Sequence, residues 1–154
     1  MALTLDIPAF TDQQPIPARY SRDGGNISPP LGWRDEPDGT LSVALVVEDP
    51  DAPDGTFRHW AAYNIPPDAH RLAEGAGSGA GPQAMRMAVN DFGNPRYDGP
   101  QPPPGHGTHH YHFRLFALDV PDLGLAPGAD AQTVLTAARA HALESAEIVG
   151  TFER

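Results

Sequence analysis

The stretch TLSVALVV at residues 40–47 decides the fold, because it combines β-branched residues with a nearly continuous apolar run. A run of this kind predicts a β-strand that is buried on both faces. The stretch EDPDAPDG follows at residues 48–55, and its two prolines and one glycine predict a loop. Residues 57–65, FRHWAAYNI, predict a second strand that pairs with the first in antiparallel fashion.

The rest of the chain alternates short apolar runs with turns. The 16 glycines and 18 prolines are interleaved with these runs rather than concentrated in one segment. Further strands are predicted at residues 3–7, 85–89, 110–118 and 147–152. The pattern predicts a mainly β protein, an antiparallel β-sandwich, in which residues 1–154 form a single domain.

One helix is predicted at residues 130–145, with Asp130 as its N-cap. Its apolar stripe at helical spacing consists of Val134, Leu135, Ala138, Ala142 and Leu143. The glycine- and alanine-rich segment 70–81 is predicted to be an exposed, mobile loop. Residues 90–107, which contain five prolines, are predicted to form a long irregular loop with a function.

Charge and composition exclude several classes of partner and site. Acidic residues number 20 and basic residues 10, which gives a net charge of −10, and no basic run is present. Nucleic acid is therefore excluded as an extended partner. No apolar run approaches the ~20 residues that a membrane span needs. The chain has no cysteine, and its first residues lack the features of a signal peptide, so we expect a cytoplasmic protein.

Alternation along residues 109–118 separates two faces of a predicted strand. His109 and Tyr111 share the apolar face with the phenylalanine and leucine that follow, and they lie at its loop-proximal end. His110 and His112 point to the opposite face. A histidine and a tyrosine at this position indicate a polar site at the edge of the core, although two satisfied polar groups would give the same pattern.

A second polar group of residues lies in the first strand pair. His59 is inside the strand that begins near Phe57, and Asp49 ends the preceding strand. Antiparallel pairing is expected to bring Asp49 close to His59, where a carboxylate fixes the imidazole tautomer and favours its charged form. Such a histidine can donate a proton-bearing nitrogen to an oxyanion. A purely structural Asp–His pair is the alternative.

Several segments resemble the two signatures of the phosphatidylethanolamine-binding protein (PEBP) family, in particular its bacterial Raf kinase inhibitor-like branch. These segments are DPDAP at 49–53, FRHW at 57–60, NIP at 64–66, NDFG at 90–93, YDGP at 97–100, PPPG at 102–105 and HHYHF at 109–113. NISPPL at 26–31 and AEIVGT at 146–151 are also similar to the bacterial branch. The resemblance covers essentially the whole chain.

The resemblance implies a Greek-key antiparallel β-sandwich with a C-terminal helix, and a pocket for phosphate-type anions or phospholipid headgroups. The residues that it places around the pocket are Asp49, Phe57, His59, Pro103, His109 and Tyr111. Phe57 would form an aromatic wall and Pro103 part of the rim, while Asp51 would brace the loop. Two features depart from the family pattern, Arg22 and the segment 70–81, and we expect neither to touch the pocket.

The predicted function is binding of a phosphate-type anion or phospholipid headgroup, with no catalytic residue, cofactor or metal. The protein would act as a regulator similar to a kinase or protease inhibitor, with a kinase or protease as partner and a homodimer as one assembly. An interaction module that recognises phosphorylated partners through the same pocket is the alternative. A metal-dependent hydrolase that uses the histidines of residues 106–112 is a weaker alternative. A serine hydrolase at Ser78 is disfavoured, because Ala76 and Ala80 stand where the Gly-x-Ser-x-Gly elbow needs glycine.

Overall fold

The computed structural model describes residues 2–154 and contains two β-sheets and one α-helix. The strands are β1 (Thr4–Asp6), β2 (Gln14–Pro15), β3 (Leu31–Arg34), β4 (Ser42–Asp49), β5 (Phe57–Ile65), β6 (Arg71–Leu72), β7 (Arg86–Met87), β8 (His109–Leu118) and β9 (Ala142–Phe152), and the helix is α1 (Ala131–His141). Among residues 2–154 no helix combines the length and the apolar character needed to cross a bilayer.

The larger sheet has six strands in the order β2-β9-β8-β4-β5-β7, and the smaller has three in the order β1-β3-β6. Every described strand pair is antiparallel except β2 with β9, which run parallel. The prediction of a mainly β protein with a C-terminal helix is confirmed. The antiparallel prediction is wrong for β2 and β9, and the Greek-key connection stays a prediction.

Strand β4 is buried along its whole length, as the sequence predicts. Val43, Leu45 and Val47 face the core between the two sheets. Ala44 and Val46 face the other side, where they join a second core with the buried face of α1. The larger sheet is therefore covered on both sides, which explains why its central strand alternates between two apolar environments.

Helix α1 begins where the sequence predicts and ends earlier. The Asp130 side chain accepts a hydrogen bond from the Thr133 backbone N–H at 2.8 Å, which confirms the N-cap. Residues 142–145, predicted as helix, belong to β9 instead. Ala142 pairs with Leu118, and Leu143 is 42% exposed rather than part of an apolar stripe. The long β8 edge pairs with Ala142, Glu144 and Ser145, with Leu143 left out at a bulge, and this pairing overrides their helical spacing.

The segment 70–81 is not uniformly exposed, which corrects the sequence prediction. Its residues 75–77 are buried, and the Gly77 N–H donates to Ser28 Oγ at 2.9 Å. The Gly77 carbonyl accepts from the Tyr97 N–H at 2.9 Å. A Cβ at Gly77 would lie 2.5 Å from the Tyr97 Cβ, so glycine is needed for this close approach. The predicted strand at 85–89 is also shorter, being limited to β7.

Candidate functional site

A cavity of about 260 Å³ lies beside the ends of β4, β5 and β8. The six residues that the sequence places at a pocket all line it, namely Asp49, Phe57, His59, Pro103, His109 and Tyr111. The other lining residues come from the loop 52–56 and from Phe92, Gln101 and Pro102. The structure therefore brings the six residues together, and their role in binding stays a prediction.

A β-bulge at His59 directs this side chain toward the cavity. Val47 pairs with Trp60 and Glu48 pairs with Arg58, so His59 is the extra residue that no β4 residue opposes. Strict alternation would send His59 to the face opposite Trp60. The bulge instead lets His59 reach Tyr111, with their ring centroids 5.2 Å apart on the inter-sheet side. Sequence periodicity carries no signal for this extra residue.

His109 is held by hydrogen bonds at both ring nitrogens. Its Nδ1–H donates to Asp49 Oδ2 at 2.6 Å, and the two side chains are 2% and 4% exposed. Its Nε2 lies 2.6 Å from Nδ1 of His106, which is exposed. The three groups connect a buried carboxylate with the protein surface. A ligand that approaches His109 Nε2 must therefore displace His106 or bind beside it.

The predicted Asp49–His59 pair is wrong, because each residue has another partner. The Asp49 carboxylate binds His109, and the His59 Nδ1–H donates to the backbone carbonyl of Asp98 at 2.9 Å. The register places Asp49 opposite Phe57, two residues from His59. Burial lowers the pKa of His59, although the Asp98 carbonyl and the Asp49 charge favour its protonated form. In neutral His59 the Nε2 atom is consequently an acceptor.

Asp98 orders the loop behind His59, and sequence reasoning missed this role. Its side chain is fully buried and accepts hydrogen bonds at 2.9 Å from the amides of Asn26, Asn90 and Asn94. Guanidinium nitrogens of Arg22 and Arg96 lie 3.6 and 3.3 Å from its Oδ1. Burial by itself would raise the Asp98 pKa, but the three amide hydrogen bonds outweigh it and the pKa is lowered. The sequence signal for it is the YDGP motif at 97–100, although a motif match by itself does not distinguish a buried carboxylate from an exposed one.

The Tyr111 hydroxyl is the least satisfied polar group of the cavity. Its oxygen is buried and forms no hydrogen bond of good geometry within the part of the chain that the structure describes, although the Asp49 carboxylate lies close enough to interact with it. Burial, followed by the nearby Asp49 charge, raises the pKa of Tyr111, so the group is a neutral O–H donor. Buried polar groups are rarely left without a partner. This hydroxyl therefore keeps an unused donor, which a ligand oxygen can reach once the groups that cover it move aside.

An aromatic wall closes one side of the cavity. The Phe57 ring lies 5.1 Å from the His59 ring and 4.7 Å from the Phe92 ring, measured between centroids. The Arg22 guanidinium lies 4.1 Å from the Phe92 centroid and donates to Gln101 Oε1 at 3.0 Å. Phe92 and Gln101 both line the cavity, so Arg22, which does not line it, supports the cavity from behind.

The remaining polar residues of the motifs lie outside the cavity. Asp51 Oδ2 accepts from the His110 backbone N–H at 2.9 Å and lies 2.8 Å from its ring Nδ1, so it ties the loop after β4 to β8. His112 lies on the opposite face, 3.3 Å from Glu147. Within residues 2–154, no group of three or more His, Asp or Glu side chains is arranged to hold a metal ion.

Comparisons with known proteins agree with this architecture. A model of the family described as phosphatidylethanolamine-binding protein matches residues 6–153. A protein of Methanothermobacter thermautotrophicus, named UPF0098 protein, is 44% identical over 153 residues and is covered over 99% of both chains. A Mycobacterium tuberculosis protein, 42% identical over 151 residues that cover 98% of this chain and 72% of its own length, is named as a proposed lipoprotein.

A solved structure shows the same fold over the full chain. The Escherichia coli protein YbcL, described as a new member of the mammalian PEBP family, superposes with a TM-score of 0.95 at 29% sequence identity. The alignment covers 100% of this chain and 99% of the other. The match of the family model to nearly every residue confirms the resemblance seen in the motifs. The chain therefore belongs to the phosphatidylethanolamine-binding protein family.

Proposed function

We propose that the cavity around His59 and Tyr111 binds a phosphate-type anion, either free or as the headgroup of a phospholipid. The buried Tyr111 hydroxyl, which lacks a hydrogen bond of good geometry and lies at the cavity, is the observation that carries the proposal. An unpaired buried hydroxyl costs about 1–3 kcal/mol, and a ligand oxygen would remove that cost. Through this binding the protein would act as a regulator of a kinase or protease.

The polar groups of the cavity suit a ligand that carries both signs of charge. Tyr111 supplies an O–H donor, and His59 supplies a donor at Nε2 once it is protonated, because its Nδ1–H is already bound to Asp98. The Asp49 carboxylate also lines the cavity and would repel a bare anion unless a cation balances it. An ammonium group near Asp49 and a phosphate near His59 and Tyr111 would satisfy both requirements.

The affinity for a phosphodiester is expected to increase as the pH falls from 8 to 5. Burial lowers the pKa of free His59, and a bound phosphate raises it, so the complex takes up a proton. By linkage, affinity rises as the pH falls through the His59 pKa of the complex and levels off below that of the free protein. A phosphodiester is the right probe, since it keeps one charge over this range. Isothermal titration calorimetry at several pH values measures the effect.

His59→Gln provides the control, because glutamine can still donate to the Asp98 carbonyl but cannot be protonated. The variant is expected to bind with an affinity that changes far less with pH. His106 and His109 lie near the same cavity. If the affinity of His59→Gln changed with pH as much as that of the wild type, the proton taken up on binding would belong to one of them. Equal affinity of the wild type at pH 5 and pH 8 would contradict the protonation argument.

A protein-interaction role through the same cavity is the second candidate. The rim residues 53–56 and 104–108 are exposed, so an extended phosphorylated segment could reach the opening. A phosphoserine peptide should then be retained by the immobilised protein and released by saturating phosphate. Retention that phosphate does not reduce would show that the partner avoids the cavity.

A cytoplasmic location is part of the proposal. The chain has no cysteine, which suits a reducing compartment. Cell fractionation with antibody detection measures the location directly.

A further inference from the structure

The strands that build the pocket carry a second polar group of residues on their other face. Three charged side chains lie on the α1 side of the sheet, namely Glu48 of β4, Arg58 of β5 and Arg114 of β8. In the strand register Arg58 is opposite Glu48, and Arg114 is opposite Val46. They line a cavity of about 360 Å³, to which α1 contributes Gln132 and Arg139. Thr56 lines this cavity and the pocket, so the two lie on either side of the loop before β5. We call this space the arginine cavity.

The arginine cavity concentrates positive charge in an acidic protein. It holds three of the ten basic residues of a chain whose net charge is −10. Glu48, 3% exposed, forms ion pairs with Arg114 and with Arg58, whose Nε lies 2.9 Å from Glu48 Oε2. Arg114 also binds Glu147 at 2.7 Å. The three guanidinium groups have two carboxylates, Glu48 and Glu147, within salt-bridge distance, and Asp130 is a third carboxylate whose charge interacts with Arg58.

Two of these guanidinium groups have unused donors. Arg139 is exposed and forms neither a hydrogen bond nor an ion pair with any residue between 2 and 154. Arg58 is held by Glu48 alone, and its buried Nε–H lacks a hydrogen bond of good geometry. Planar guanidinium donors match the oxygens of phosphate in a bidentate manner. Arg58 and Arg139 both line the arginine cavity, so a ligand there would lie next to two guanidinium groups with unused donors.

We propose that the arginine cavity is a second anion site, which binds a phosphate or phosphate monoester between Arg58, Arg114 and Arg139. It is distinct from the pocket, because the six-stranded sheet separates the two and no arginine lines the pocket. The site does not rest on the proposed function. Its ligand would be small and highly charged, since the arginine cavity lacks the aromatic wall of the pocket.

The test is a titration of the full chain with inorganic phosphate, followed by NMR of backbone and arginine side-chain N–H groups. Shifts are expected at Arg58, Gln132 and Arg139, with their own binding curve. Arg139→Ala should weaken this binding at least about tenfold, since charge-assisted hydrogen bonds to phosphate are lost. The variant should fold normally, because Arg139 is exposed and alanine favours helices.

Arg34→Ala is the matched control. Arg34 lies in β3 of the other sheet, its side chain is 70% exposed, and its replacement removes the same charge. It should leave the shifts around the arginine cavity and their affinity unchanged. Equal weakening by Arg34→Ala and Arg139→Ala would overturn the proposal, since it would indicate a general field effect. Absence of shifts around Arg58 and Arg139 throughout the titration would overturn it as well. The role of Arg58 and Arg114 would then be structural, as partners of the buried Glu48 carboxylate.

Discussion

Replacement of Asp98 by alanine is expected to lower the free energy of unfolding by about 3–5 kcal/mol, a large part of the ~5–15 kcal/mol of a domain this size. The carboxylate is fully buried and accepts from three asparagine amides. Its removal leaves these donors without their acceptor and the nearby Arg22 and Arg96 guanidinium groups without the carboxylate charge. Urea unfolding followed by circular dichroism measures the loss.

Two further variants distinguish this effect from a general loss of charge. Asp38→Ala removes an exposed carboxylate and should change stability by no more than about 0.5 kcal/mol. Asp98→Asn keeps the shape but not the charge, so it should be intermediate at pH 7. Because the folded pKa of Asp98 is lowered, the advantage of wild type over Asp98→Asn is present above the unfolded pKa of about 3.9. It should disappear as the pH falls through the folded pKa, and an advantage that persists there would contradict the buried-charge explanation.

Tyr111→Phe is expected to weaken phosphodiester binding by about tenfold or more, and to leave the free protein as stable as wild type or more stable. The Tyr111 hydroxyl forms no hydrogen bond of good geometry in the protein, so its removal costs at most a weak contact with Asp49 in the free state. In the complex the variant loses a hydrogen bond to a charged oxygen, worth about 1.5–3 kcal/mol. Calorimetric titration and thermal unfolding without ligand provide the two measurements.

Tyr97→Phe is the matched control, because it should give the opposite pair of results. The Tyr97 hydroxyl is buried and donates to the Tyr20 carbonyl at 2.7 Å. Its removal leaves the Tyr20 carbonyl without this hydrogen bond and should destabilise the protein by about 1–3 kcal/mol, with little change in the affinity for the phosphodiester. If Tyr111→Phe also lost stability but kept its affinity, the hydroxyl would be structural and the proposed ligand contact would be wrong.

Much of the site followed from local patterns and from the family motifs. Alternation in β8 placed His109 and Tyr111 on the apolar side, and their burial in the structure agrees with this. The proline-rich residues 90–107 were predicted to be a functional loop, and four of them line the cavity, namely Phe92, Gln101, Pro102 and Pro103. The part that sequence reasoning missed is the support behind the cavity, above all Asp98 and Arg22.

The errors share one origin, which is that partners distant in the sequence depend on register. Asp49 was expected to bind His59, ten residues away, but it binds His109, 60 positions along the chain. The sequence predicts that the helix extends to residue 145, but α1 ends at His141, because Ala142 pairs with Leu118 in the ladder between β8 and β9. A hydrophobic pattern measures the period within one segment and carries no information about which neighbouring segment supplies the hydrogen bonds.

The sequence by itself determined the burial of β4 on both faces, the limits of β5, the N-cap of α1 and the membership in the family. These features depend on residue types at short separations, so they can be read along the chain. Only the tertiary structure decided that a bulge turns His59 toward Tyr111, and that Asp98 fixes the His59 tautomer. It also brought Glu48, Arg58 and Arg114 together on the face opposite the pocket. A single unpaired residue in a β-ladder reverses the side to which a side chain points, and that choice is made by the packing of both sheets.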